Sequence, residues 1–204
     1  MPRITADSIA DHVAQQEAAV LEAAVRLFLA RGYHQVALGD VAAEVGLARS
    51  SLYRYVPDKA HLLVRWYHQV IPRTIAEWRA ATSGDGSPLD HLHRWALTYL
   101  AWARTPEHTL VQPLLEALPT LDGPTRREVT AQHAEMMGVV ADVVAAAGVP
   151  PGEVKPTVDL LAGLVLGAAR AETTHPGDSV RRRLLAAITA AVLPERVATR
   201  GRGS

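Results

Sequence analysis

The chain has 204 residues, 21 basic and 21 acidic side chains, and 49% apolar residues. That balance excludes a disordered polyelectrolyte and a protein that coats nucleic acid by bulk charge, yet it supplies enough apolar surface for a core. Cysteine is absent, which excludes disulfides and thiolate sites and makes a reducing cytoplasm the expected location.

The length fits one ordinary domain or a small domain fused to a larger one. No apolar leader follows the first methionine, so no secretion signal is expected. The longest apolar run, LLAGLVLGAA at 160–169, is about half of what a membrane span needs. It reads as a buried helix, and no membrane contact is expected.

Helical periodicity runs through almost the whole sequence. In 16–31, Val20, Ala24, Leu27 and Phe28 recur at three- and four-residue steps, and Gly32 stops the helix. Residues 38–45 place Leu38, Val41, Ala42 and Val45 on one side, and Gly46 breaks them off. A short helix is expected at 49–55, ended before Pro57. Asp58 then caps a long helix to residue 81, bent at Pro72. The loop TSGDGSP at 82–88 follows. Further helices are expected at 89–104, 106–117, 124–147, 157–173 and 178–192, with VPPGEVKP at 149–156 as the break before the last two and THPGD as the split between them. That makes nine helices. The terminal RGRGS is expected to fray, its last residues being open to reading as an expression scar.

The stretch GLARSSLYRYVPDK at 46–59 carries the chemistry. Two short helices joined by a glycine turn suit a helix-turn-helix. In the second helix Leu52 points inward, leaving Arg49, Ser50, Tyr53 and Arg54 to face out. Arginine can donate a bidentate pair to guanine, and a serine hydroxyl can serve bases or a phosphate. Tyrosine hydroxyls and lysine suit backbone phosphates, which fix docking register. Between residues 46 and 67, Arg49, Arg54, Lys59 and Arg65 stand against Asp58 alone.

The segment from about 16 to 68 resembles the DNA-binding domain of TetR-type transcriptional repressors. The matching pieces are LFLARGY at 27–33, Val41-Ala42, Gly46-Leu47-Ala48, the run Leu52-Tyr53-Arg54-Tyr55-Val56, and Lys59. The resemblance implies an all-α fold: an N-terminal three-helix helix-turn-helix domain, then a larger helical ligand-binding and dimerisation domain. The expected division is 1–57 for the N-terminal arm and helix-turn-helix, 58–81 for a connecting helix, and 82–204 for the body. Arg49, Ser50 and Arg54 would contact bases or phosphates, Tyr53 and Tyr55 would lie along the backbone, and Lys59 would hold a phosphate. The chain departs from the family pattern in four places. Ala37 and Ala48 stand where serine or threonine caps are usual, Gly39 where a basic or polar residue is common, and Tyr55-Val56 where His-Phe is usual. Each missing cap costs about 1 kcal/mol of helix stability.

In the body, Trp95 and Trp102 are two helical turns apart, with Tyr99 between them. With Trp66 and the adaptable Met136 and Met137, they are candidates to line a cavity for a flat apolar effector. Core packing or a dimer surface is the other reading. His91, His93, His108 and His133 do not have metal-ligand spacing, so no metal is expected. In the last two helices, Leu161, Val165, Leu184, Leu185 and Ile188 are candidates for half of a four-helix homodimer interface, with a closed monomer core as the alternative.

The function this implies is a ligand-responsive repressor that binds a palindromic operator in duplex DNA as a homodimer and is released by a small effector. No cofactor is implied. No glycine-rich phosphate loop, G-x-S-x-G or H-E-x-x-H motif suggests an enzyme. The competing reading is a dimeric helical scaffold whose helix-turn-helix binds a protein.

Overall fold

The computed structural model describes residues 6–193, with side chains from residue 11 onward. The N-terminal arm before residue 6 and the RGRGS tail therefore lie outside the described residues. Nine α-helices and no strands are found among the described residues. They are α1 Ala6–Arg31, α2 Leu38–Glu44, α3 Arg49–Leu52, α4 Lys59–Ala81, α5 Pro88–Ala103, α6 Val111–Ala117, α7 Gly123–Ala146, α8 Pro151–Thr174 and α9 Asp178–Val192. Short 3₁₀ turns at Tyr33–Gln35, Pro106–Leu110 and Leu118–Thr120 complete the order. No described helix is long and apolar enough to cross a membrane.

Four boundaries differ from expectation: α6 begins at Val111 rather than 106, the residues before it forming the 3₁₀ turn, and three others differ for local reasons. First, α1 begins at Ala6 rather than residue 16, because Ala10, Ala14 and Gln15 between those positions are good helix formers. Second, α8 begins at Pro151 rather than 157. Proline is at home in a first turn, where its missing N–H would have had no helical partner. Only Pro156 is interior, where it forfeits one bond to the Gly152 carbonyl. Third, α3 is only four residues long. Tight turns carry on from it, with the Arg54 amide donating to Ser51 O at 3.2 Å and the Val56 amide to Leu52 O at 3.1 Å.

The chain forms two compact units. One runs through Arg73 and includes Thr105–Gln132; the other comprises Thr74–Arg104 and the residues from His133 on. The boundaries thus fall inside α4 and α7. In the first unit, Val20, Ala24 and Phe28 of α1 are buried along with Val41 and Ala42 of α2, Leu52 of α3 and Leu62, Leu63 and Trp66 of α4. The segment 105–132 adds Leu110, Leu114, Leu121 and Val129 to the buried set. In the second unit, α5, α8 and α9 pack pairwise, and Trp78, Trp95, Leu161, Val165 and Ile188 are fully buried.

Candidate nucleic-acid interface

The two-helix motif starts from a helix that ends cleanly. Gly46 follows α2 with φ of 68°, a left-handed conformation that glycine adopts without steric cost. Its amide donates to Ala43 O at 3.2 Å, and the next amide, of Leu47, donates to Ala42 O at 2.8 Å. This pair of bonds is a Schellman motif. It aims the chain directly into α3.

Both predicted cap deficits are visible. Ala37 and Ala48 make no side-chain cap bond. The start of α2 keeps half a capping box, because Asp40 accepts the Ala37 amide at 2.7 Å. Nothing equivalent is available at α3. That helix is seated by Leu52 and Val56, which are 0% and 1% exposed. The guanidinium of Arg65 also holds the following turn, donating to Tyr55 O at 2.6 Å.

Over this seat, Arg49, Ser50, Tyr53 and Arg54 are exposed and Tyr55 is half-buried. The Arg49 guanidinium reaches the Tyr53 hydroxyl at 3.4 Å. Arg49, Tyr53 and Lys59 share a recess of 390 Å³ with His34, Gln35 and the start of α2. The sequence reading had not named His34 or Gln35; they enter because the 3₁₀ turn after Gly32 brings them beside α3. Lys59 is bound more tightly than its motif suggests. Its ammonium donates to Tyr33 O at 2.8 Å and Val36 O at 2.9 Å, and lies 4.2 Å from the centre of the Tyr33 ring. Burial holds its pKa below the ordinary lysine value. Lys59 therefore staples the 33–36 turn to α4 and keeps one donor for a further partner.

The body residues separate by unit. Trp95, Tyr99 and Trp102 of α5 join Trp78 of α4 in an aromatic cluster. Ring centroids are 5.5 Å apart for Trp78–Trp95, 4.9 Å for Trp78–Tyr99 and 5.8 Å for Tyr99–Trp102. Burial raises the Tyr99 pKa to about 12, so its phenol stays neutral. The indole N–H groups of Trp78 and Trp95 are buried without a protein acceptor. Trp66 belongs to the first unit, beside Tyr67. Met136 is buried and Met137 half-buried on α7.

Of the five residues considered for a surface between copies, Leu161, Val165, Leu184 and Ile188 are buried within the protomer and Leu185 is half-buried. The side that α8 and α9 leave open is a groove of 740 Å³, lined by Leu160, Gly163, Leu164, Gly167, Val180 and Ala187 among others. Among the histidines, His93 Nε2 lies 2.9 Å from the Thr189 hydroxyl, and His91 Nε2 lies 3.2 Å from Gly84 O. No group of three or more potential ligands for a metal is found among the described residues.

A short helix pair joined by a glycine turn, with a basic outer face on an apolar seat, defines the helix-turn-helix class of protein. Residues 20–65 match the family described as bacterial regulatory proteins, tetR family. The HTH-type transcriptional repressor DrrR1 of Streptomyces coeruleorubidus is 31% identical over 153 residues, covering 75% of this chain and 52% of that protein. The chain thus spans about half the length of this curated relative. A TetR-family regulator from Streptomyces coelicolor has the same fold, with a TM-score of 0.66 at 21% identity, over 90% of this chain and 93% of that one. So does FadR from Bacillus subtilis, solved in complex with stearoyl-CoA, with a TM-score of 0.64 at 16% identity, over 86% of this chain and 98% of that one. Residues 20–65 thus carry the tetR-family helix-turn-helix domain, and the chain shares its fold with TetR-family regulators.

Proposed function

We propose that the chain is a transcriptional repressor that binds a palindromic operator as a homodimer and is released by a small apolar or aromatic effector. The observation that carries this reading is the outer face of α3. Arg49, Ser50, Tyr53 and Arg54 are all exposed while Leu52, in their midst, is fully buried. That is the arrangement a helix needs to enter a major groove while remaining attached to its domain. A two-fold dimer sets two such helices about one DNA turn, roughly 34–36 Å, apart.

In this reading residues 1–57 read DNA, 58–81 connect, and 82–204 bind the effector and the second copy. Trp95, Tyr99, Trp102 and Met137 are the effector candidates, and Trp78 belongs with them through ring contact. Trp66, in the first unit, is a candidate by its own burial there. The fatty acyl-CoA bound by FadR, a protein of the same fold, supports an apolar effector. The second copy would sit on the open side of α8 and α9, where Leu160 is 56% exposed. Leu161, Val165, Leu184, Leu185 and Ile188 would back that face. An effector changes operator affinity only as far as it binds the DNA-bound and free arrangements differently. A cytoplasmic location goes with this role.

The test is selection of duplex DNA from a random pool, followed by titration of the enriched sequence with wild type and with Arg49→Ala/Arg54→Ala. The expected result is a palindrome bound by a dimer, with affinity falling at least about a hundredfold in the variant. No enrichment at low salt would overturn the operator reading and favour a protein-binding scaffold.

A further inference from the structure

Trp66, Trp78 and Trp95 each bury an indole Nε1–H that meets no acceptor among the described residues. Trp66 stands apart in the first unit, whereas Trp78 and Trp95 share the second. Those two are both 0% exposed and meet edge to face, with ring centroids 5.5 Å apart and planes at 90°. Indole nitrogen is a donor only, so neither can satisfy the other. An aromatic face is a weak acceptor beside an oxygen. Buried donors are normally paired, because an unmet one forfeits the water it gave up. Two unmet donors side by side are therefore something that the packing of the free chain does not explain.

The same cluster leads from these donors toward the surface, all of it within the second unit. Tyr99 adjoins both tryptophans, with its ring centroid 4.9 Å from Trp78 and 5.7 Å from Trp95. It also adjoins Trp102, at 5.8 Å with only 31° between the planes. Trp102 is half-buried, while the other three rings are buried. A flat molecule entering along Trp102 and Tyr99 would lie against aromatic faces and bring its rim to the indoles. A hydrocarbon or an acyl chain would leave both N–H groups unmet. So would a quaternary ammonium ion, which the ring faces alone would hold. A carbonyl oxygen has two lone pairs, enough for both donors.

We propose that this cluster binds a planar aromatic ketone whose carbonyl oxygen accepts from the Nε1–H groups of Trp78 and Trp95. That such a ligand acts as the effector rests on the proposed function; the binding site does not.

The test uses probes that differ by one oxygen: fluorenone against fluorene, and xanthone against xanthene. The full chain is labelled at the indole nitrogens, so its four tryptophans give four side-chain cross-peaks, assigned by single substitutions to phenylalanine. In wild type each ketone should bind at least about tenfold tighter than its methylene counterpart, the worth of one to two neutral hydrogen bonds. It should also move the Trp78 and Trp95 peaks downfield. Trp78→Phe/Trp95→Phe keeps aromatic rings and removes the donors, and should bind ketone and methylene probes alike. The wild-type comparison decides the matter even if that variant fails to fold. Equal affinity within each wild-type pair, stationary peaks, or no binding of any probe would overturn the proposal, as would choline binding there more tightly than the ketones. Operator affinity measured with and without fluorenone separates the two ideas. Fluorenone bound at these indoles with operator affinity unchanged would leave the site standing and refute its role as an effector site.

Discussion

The α2–α3 pair and α5 are built on opposite principles. Helix α5 is specified by its own first turn. The Ser87 hydroxyl accepts the Asp90 amide at 3.2 Å, Asp90 accepts the Ser87 amide at 2.8 Å, and Pro88 occupies the first helical position. Helix α3 has four residues, an alanine at its cap and no side-chain cap bond. It is helical because Leu52 and Val56 are buried and because Arg65, from the next helix, holds the turn that follows it. Local signals can make a helix in a body. A reading helix must leave its side chains free for a partner, so its stability has to come from below and from behind.

Substitutions that attack each principle should separate them. The largest effect is expected at the seat. Leu52→Ala should cost about 3 kcal/mol and loosen the reading head, measured by denaturant unfolding and by exchange of peptides covering 38–56. Equal protection of those peptides in the variant would mean that α3 does not depend on its seat. Next, Lys59→Met keeps the aliphatic stem but removes two hydrogen bonds and the ring contact. It should cost about 2 kcal/mol and release the 33–36 turn.

The capping box of α5 should be worth less. Ser87→Ala should cost about 1 kcal/mol near neutrality. Asp90 lies below the ordinary carboxylate value, chiefly because of its hydrogen bonds from Ser87. Its contribution is therefore fully present above the unfolded value near 4, and is lost as pH falls through the lower folded value. The penalty of Ser87→Ala should shrink in acid, which thermal unfolding at several pH values would show. The smallest effect should be a gain: Ala48→Ser supplies the missing cap of α3 and should add about 0.5 kcal/mol. No gain there would mean that packing alone already fixes the turn.

The nine helices and the Gly46 turn were legible because apolar periodicity and left-handed glycine leave local marks. So was the split of α3 into Leu52 inward and Arg49, Ser50, Tyr53 and Arg54 outward. The start of α8 was not, because Pro151 and Pro156 look like breakers unless the first is known to occupy a first turn. The orientation of α8 was hidden for a different reason. Nearly every residue from 160 to 169 is apolar or small, so periodicity cannot tell Leu161 and Val165, which are buried, from Leu160, which is exposed. Lys59 was read for its charge alone; the carbonyls that occupy it lie more than twenty residues back in the chain. Trp66 was grouped with the other tryptophans, and the structure assigns it to the first unit and Trp78, Trp95 and Trp102 to the second, a division within α4 that leaves no trace in composition.

That division has a consequence for protein engineering. The two units exchange stretches of chain, each being assembled from separate lengths of sequence. A cut at residue 57 would free α3 but strip away Lys59 and Arg65, and a cut at 81 would discard the buried Leu110, Leu114, Leu121 and Val129 of the 105–132 stretch. A junction that keeps α3 with all its supports has to fall after Gln132, and it carries residues 74–104 of the second unit along.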